Sequence, residues 1–168
     1  MSSIEGLRPF PLLFGLNAAE LWPCVNLILP SWLLLMFAPR YRHTARLTLI
    51  GPVTAAALYT LLVLSTFLVP SGGGGDWGSL EGIVELFRDP SVVFVGWVHY
   101  LCYDCLVARW IVLDSIGRGC SRAQHLLAVV PTLFLALMFG PMGFLLYLTV
   151  VRTFVLPEGG TVAKAKAS

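Results

Sequence analysis

The alternation of apolar and polar positions divides the chain into four long apolar stretches separated by short polar ones. Leu16–Ala38, Leu47–Val69, Ser91–Ile116 and Leu126–Val151 are each long enough, at about 20 residues or more, for a helix to cross a hydrocarbon core of roughly 30 Å. Between the second and third stretches, Leu80, Ile83, Val84 and Phe87 recur at helical spacing against Glu81, Glu85 and Arg88. That spacing predicts a short amphipathic helix over Leu80–Asp89, lying along a membrane interface. The pattern as a whole predicts an all-α fold: an integral membrane bundle of four transmembrane helices, with a short interfacial amphipathic helix between spans two and three. Residues 1–15 read as an irregular or interfacial lead-in, 16–152 as the four-helix membrane domain and 153–168 as a disordered tail.

Two of the spans carry their own interruptions. Pro23 and Pro30 each remove a backbone donor from the first, which predicts a kink, and Glu20 and Asn26 are the polar groups expected to meet the third helix, with Glu20 equally able to lie at the interface near Trp22 and face water. Pro131 and the run Phe139-Gly140-Pro141-Met142-Gly143 predict that the fourth span bends or breaks in its middle. The second span has no charged residue, and Gly51, Pro52 and Ala55-Ala56-Ala57 permit a neighbouring helix to come close. The four consecutive glycines from Gly72 to Gly75 read as a flexible connector. They lack the Lys-Ser/Thr ending and the preceding strand of a phosphate loop.

Composition sharpens this picture. Hydrophobic residues make up 57% of the chain, charged residues 12%, and the mean hydropathy is +0.82, which excludes a soluble domain that must cover its core with polar surface. The net charge is only +2, with no concentrated basic footprint of the kind a nucleic-acid binder carries. Arginines do gather in two short loops, 40–46 and 117–122, while the segment between spans two and three is acidic. This bias places the basic loops on the cytoplasmic side, or the stromal side in a plastid, with both termini and the acidic loop opposite. The amino terminus has neither a signal peptide nor a transit peptide pattern. The expectation is therefore a bacterial inner or intracytoplasmic membrane rather than a plastid, or else a processed form. Cys24, Cys102 and Cys105 fall in spans and Cys120 in a loop, so no disulfide framework is implied, and Cys102-x-x-Cys105 reads as packing.

The third span is where chemistry concentrates, because His99, Asp104 and Arg109 lie in a segment apolar enough to cross a bilayer. Each such group costs on the order of a few kcal/mol near the centre of a membrane helix and normally faces a bundle interior, a partner or a site. At about 100° per residue, Tyr103, Trp110 and Asp114 fall within roughly 60° of His99, while Asp104 is about 140° away and Arg109 about 80° to the other side. The three charges therefore do not share one face, and the helix must be surrounded by protein or water on more than one side. A protonated Asp104 in an apolar setting is a candidate proton donor, and His99 can take or relay a proton. Arg109 is poorly placed to pair with Asp104 on its own helix, so a partner elsewhere, such as Glu20, is expected. The competing reading is that all three merely hydrogen-bond helices together. No metal set is expected, since the position one turn after His99 is Tyr103, and His43 and His125 read as loop residues without supporting partners.

Trp97-Val98-His99, Asp104, Ala108-Arg109, the late Gly140-Pro141-Met142-Gly143-Phe144-Leu145-Leu146-Tyr147 and the early Leu29-Pro30-Ser31-Trp32 together resemble the small four-span family named for the plant abscisic-acid-deficient-four protein, a neoxanthin synthase. The resemblance covers residues of about 18–152. It implies a membrane protein that binds or modifies a carotenoid, by an epoxide-opening isomerisation that forms an allene with no redox change and requires no cofactor. In that setting His99 and Asp104 supply an acid and a base in either order, Arg109 stabilises the developing oxyanion, and Tyr103, Trp110 and Trp97 contact the polyene. The alternative is a non-catalytic pigment- or quinone-associated subunit of a larger photosynthetic membrane complex, with the lipid bilayer, a carotenoid and other membrane subunits as partners. A proton or ion conductor gains from Asp104 but lacks a continuous polar stripe in the other spans.

Overall fold

In the computed structural model, residues 6–68 and 77–157 are described. All regular structure among them is helical. The connector expected around Gly72–Gly75 and most of the expected tail lie outside the described residues. The elements are α1 (Ala18–Phe37), α2 (Thr44–Thr66), α3 (Leu80–Leu86), α4 (Pro90–Gly117), α5 (Arg122–Phe139) and α6 (Pro141–Val155). Of these, α1, α2, α4 and α5 are long and apolar enough to cross a membrane, and α6 is a shorter apolar helix. This fits a multi-pass membrane protein.

The chain forms two compact units, the first from residues 1–27 and 53–101 and the second from 28–52 and 102–168. In unit one the lead-in is laced to helices. The Arg8 N–H donates to Ser91 Oγ (3.1 Å), the Arg8 side chain pairs with Asp89 at 3.2 Å, and the Leu12 N–H donates to Ser65 Oγ (3.2 Å). These bonds hold Phe10 inside a core with Ala18, Leu21, Leu62, Phe94 and Val98. The helix α1 begins with a capping box. Asn17 Oδ1 accepts the N–H groups of Ala19 and Glu20, and Glu20 Oε2 accepts the N–H of Asn17 at 2.8 Å. Glu20 is therefore spent on its own helix start and is not the partner expected for the third span, while Asn26 is exposed. The kink expected from Pro23 and Pro30 is realised as a tightened 3-10 run over Trp22–Ile28. The helix α3 is shorter than the predicted amphipathic stretch, with Ser79 Oγ accepting the Gly82 N–H at its start and Phe87 stepping off it to pack on Gly96.

Unit two contains the end of α1, the start of α2, the second half of α4, and α5 with α6. Gly51 lets α2 press on α1: a Cβ there would meet Ser31 Oγ at 2.6 Å and Ile28 Cα at 3.2 Å, and the Gly51 N–H donates to Ser31 Oγ. Cys102 and Cys105 are free and buried, and the Cys102 thiol donates to the Pro52 carbonyl (3.3 Å).

The largest departure from expectation is the fourth span. It breaks at Gly140, as Gly140-Pro141 predicted, but the chain then reverses instead of continuing across. Gly140 has φ +29° and ψ −88°, a conformation that disfavours any side chain, and Pro141 starts a new helix without needing a donor. A Cβ on Gly143 would lie 2.3 Å from the Ala136 nitrogen, so the α6 backbone runs directly against α5. At the other end Gln124 Nε2 donates to the Val155 carbonyl at 2.6 Å. The two helices are the limbs of an antiparallel hairpin, and Arg118 Nη1 reaching the Pro157 carbonyl (3.5 Å) brings the end of α6 back beside the 117–122 loop. The end of the described chain at Pro157 thus lies beside the 117–122 basic loop, which corrects the placement expected opposite it. Both limbs contain wide π-type turns, over His125–Val129 and Tyr147–Val155, the first just before Pro131, whose missing N–H breaks the regular ladder.

Candidate functional site

Four of the six residues singled out from the sequence, Tyr103, Asp104, Arg109 and Trp110, lie on the unit-two part of α4. Asp104 is half-buried against the hairpin break, since a Cβ built on Gly140 would sit 2.5 Å from Asp104 Oδ1 and 3.2 Å from its carboxyl carbon. Any residue but glycine at 140 would push into the carboxyl group. The site is thus a carboxyl group facing irregular backbone at the turn of a hairpin, where the helical ladder is interrupted. Such interruptions inside apolar helices are tolerated where they are covered by protein or serve a site.

Below Asp104 along the same helix, Trp110 sets its ring edge-on to Phe144 (5.7 Å between centroids) and to Tyr147 (5.6 Å), both on α6. Tyr103 and Trp110, about 100° or more round α4 from Asp104 by the helical count, remain 58% and 40% exposed and present flat aromatic surface on another side of the helix. Arg109 is committed elsewhere: its Nε and Nη2 both donate to the Ala45 carbonyl, at 3.3 and 2.8 Å. It therefore ties the first turn of α2 to α4 and pairs with neither Glu20 nor, through those two donors, Asp104.

His99 and Trp97 belong to unit one. The His99 ring meets Tyr59 edge-on at 5.2 Å and Tyr100 at 6.1 Å, and Trp97 stacks on Trp22 at 6.2 Å with an interplanar angle of 27°.

The sequence did not single out the strongest polar cluster. Asp114 on α4 accepts from Arg118 Nε (3.1 Å), Arg152 Nε (3.0 Å) and the Tyr147 hydroxyl (2.7 Å). Arg118 was detectable, one turn after Asp114 on the same helix. Tyr147 and Arg152 were not, because only the reversal at Gly140 brings α6 alongside α4. A further correction concerns His125, expected as an unsupported loop residue. It lies at the start of α5, 5% exposed, with Nε2 3.0 Å from the Met36 carbonyl. Outside the helices, burial pushes the Cys120 thiol above its ordinary pKa, and the nearby Arg40 guanidinium, which donates to the Cys120 carbonyl, pulls the other way. Among the described residues no three His, Cys, Asp or Glu side chains come together as a metal set.

The sequence model of the ABA DEFICIENT 4-like family matches residues 21–147, well over half of the chain. No curated protein and no solved structure matches it. The matched region takes in the Trp97–Arg109 segment, the Gly140 break with its Asp104 contact, and the Trp110–Phe144–Tyr147 aromatic cluster. The chain belongs to the ABA DEFICIENT 4-like family.

Proposed function

We propose that this protein binds a carotenoid epoxide in the membrane and isomerises it to an allenic alcohol, with Asp104 as the proton-transferring group. The observation that supports the reading is the seating of the Asp104 carboxyl against the Gly140 break, on the helix that also carries the exposed rings of Tyr103 and Trp110, in a chain of this family. Asp104 protonates the epoxide oxygen as one C–O bond breaks and its electron pair passes to oxygen. The resulting carboxylate removes the proton from the adjacent polyene carbon, and those electrons form the second double bond of the allene. Asp104 ends as it began, one proton has moved from carbon to oxygen, and no electrons are gained or lost. A single carboxyl group therefore suffices for both steps, and neither His99 nor a metal is required by the balance. Tyr103 and Trp110 contact the polyene, and Arg109 holds the Ala45 turn in place.

The test is conversion of a xanthophyll epoxide by the full chain in lipid nanodiscs, followed by chromatography and mass measurement. Replacing a positioned acid or base typically costs about 10²–10⁴-fold in rate, so Asp104→Asn should fall by that order while Asp104→Glu keeps part of the activity. An Asp104→Asn protein that folds and converts substrate at the wild-type rate would refute the assignment. Retention of the pigment by wild type without any conversion would instead favour a pigment-binding subunit.

A further inference from the structure

Unit two is electrically lopsided. Residues 28–52 and 102–157 contain seven arginines and two carboxylates, Asp104 and Asp114. Asp114 is already shared by Arg118 and Arg152, and Arg109 is held on the Ala45 carbonyl. Among the described residues Arg40, Arg42, Arg46 and Arg122 form no ion pair, and all four are exposed. They belong to one surface: Arg40 reaches across to the Cys120 carbonyl, which fastens the 40–46 loop to the 117–122 loop, and Arg122 follows two residues later. Gathering four unpaired cations without counter-charge is unfavourable unless an anion is supplied from outside the chain.

The surroundings decide what kind of anion fits. Phe37 (70% exposed) precedes the first loop and Tyr41 (51%) lies within it, and Leu126 (58%) and Leu127 (77%) follow the second. A soluble anion gains nothing from such neighbours, whereas an amphiphile places its phosphate on the arginines and its chains along the apolar side chains. We propose that Arg40, Arg42, Arg46 and Arg122 form a docking surface for the headgroups of anionic phospholipids.

Arg42, Arg46 and Arg122 make no side-chain bond among the described residues, so their removal leaves the fold intact, whereas Arg40 also fastens the loops and is kept. The full chain and the R42Q/R46Q/R122Q variant are reconstituted in nanodiscs of phosphatidylcholine with a minority of phosphatidylglycerol, and the lipid retained after detergent extraction is quantified. Basic residues near an anionic surface are worth roughly fivefold each, so the triple variant should lose on the order of a hundredfold in preference for phosphatidylglycerol, with unchanged helix content. Equal retention of phosphatidylglycerol by wild type and variant would overturn the proposal. So would displacement of the lipid by inorganic phosphate at millimolar level, because it would show a site for a free anion.

Discussion

Gly143→Ala isolates the hairpin that the rest of the account depends on. The added methyl would lie 2.3 Å from the Ala136 nitrogen, 2.6 Å from its Cα and 2.7 Å from its Cβ. Carbon contacts settle near 3.5–4.0 Å, so the limbs must part locally by about 1 Å or more. The two closest atoms are backbone, so no rotamer change can absorb the overlap. Overpacking of this kind costs about 1–3 kcal/mol, and the upper half of that range applies where backbone must move. For a chain of this length that corresponds to a fall in melting temperature of roughly 5–10 °C. Thermal unfolding in detergent, followed by tryptophan fluorescence, is a suitable assay because Trp110 packs on Phe144 and Tyr147 of the same limb. A second substitution sharpens the test. Ala136→Gly removes only the Cβ contact, so the double variant should remain as unstable as Gly143→Ala alone. A Gly143→Ala protein that melts with wild type, or full rescue by Ala136→Gly, would refute the close backbone approach.

Tyr147→Phe removes the hydroxyl bonded to Asp114 but keeps the ring against Trp110, so it should destabilise by about 1–2 kcal/mol by the same melting assay, and much less in an Asp114→Asn background. Cysteines placed singly at Arg122 and Pro157 in a cysteine-free chain should be labelled from the same face of sealed vesicles by a charged maleimide, because Arg118 meets the Pro157 carbonyl; labelling from opposite faces would contradict the reversal at Gly140. The raised pKa of Cys120 means that its thiolate forms at higher pH in the folded chain than in the unfolded one, so alkylation with N-ethylmaleimide at neutral pH should be slow until denaturant is added and its pH profile should be displaced upward.

The helical class and the positions of the long apolar helices were legible in the sequence because apolar run length is a local property. So was the break at Gly140-Pro141, since both residues act on their own backbone. The direction taken after the break was not, because a bend and a reversal have the same local signature and differ only in whether Gly143 meets Ala136. That one ambiguity hid the Asp114 cluster: Arg152 and Tyr147 are far from Asp114 in a chain that runs on, and adjacent to it in one that turns back. For Glu20 the pattern leaves two placements, against α4 or at the interface facing water, and the Asn17-x-x-Glu20 capping spacing selects the second. Asp104 was singled out by residue type alone, and its contact with Gly140 is a tertiary one that no local pattern carries.

The most direct test of the central claim is whether the wild-type protein, purified as the full chain and reconstituted in nanodiscs, changes a bound xanthophyll epoxide. The expected product has unchanged mass and an allenic stretch in its infrared spectrum, is formed by wild type and is lost in Asp104→Asn. Recovery of the epoxide unaltered from wild-type nanodiscs, or the same product from the Asp104→Asn protein, would contradict it.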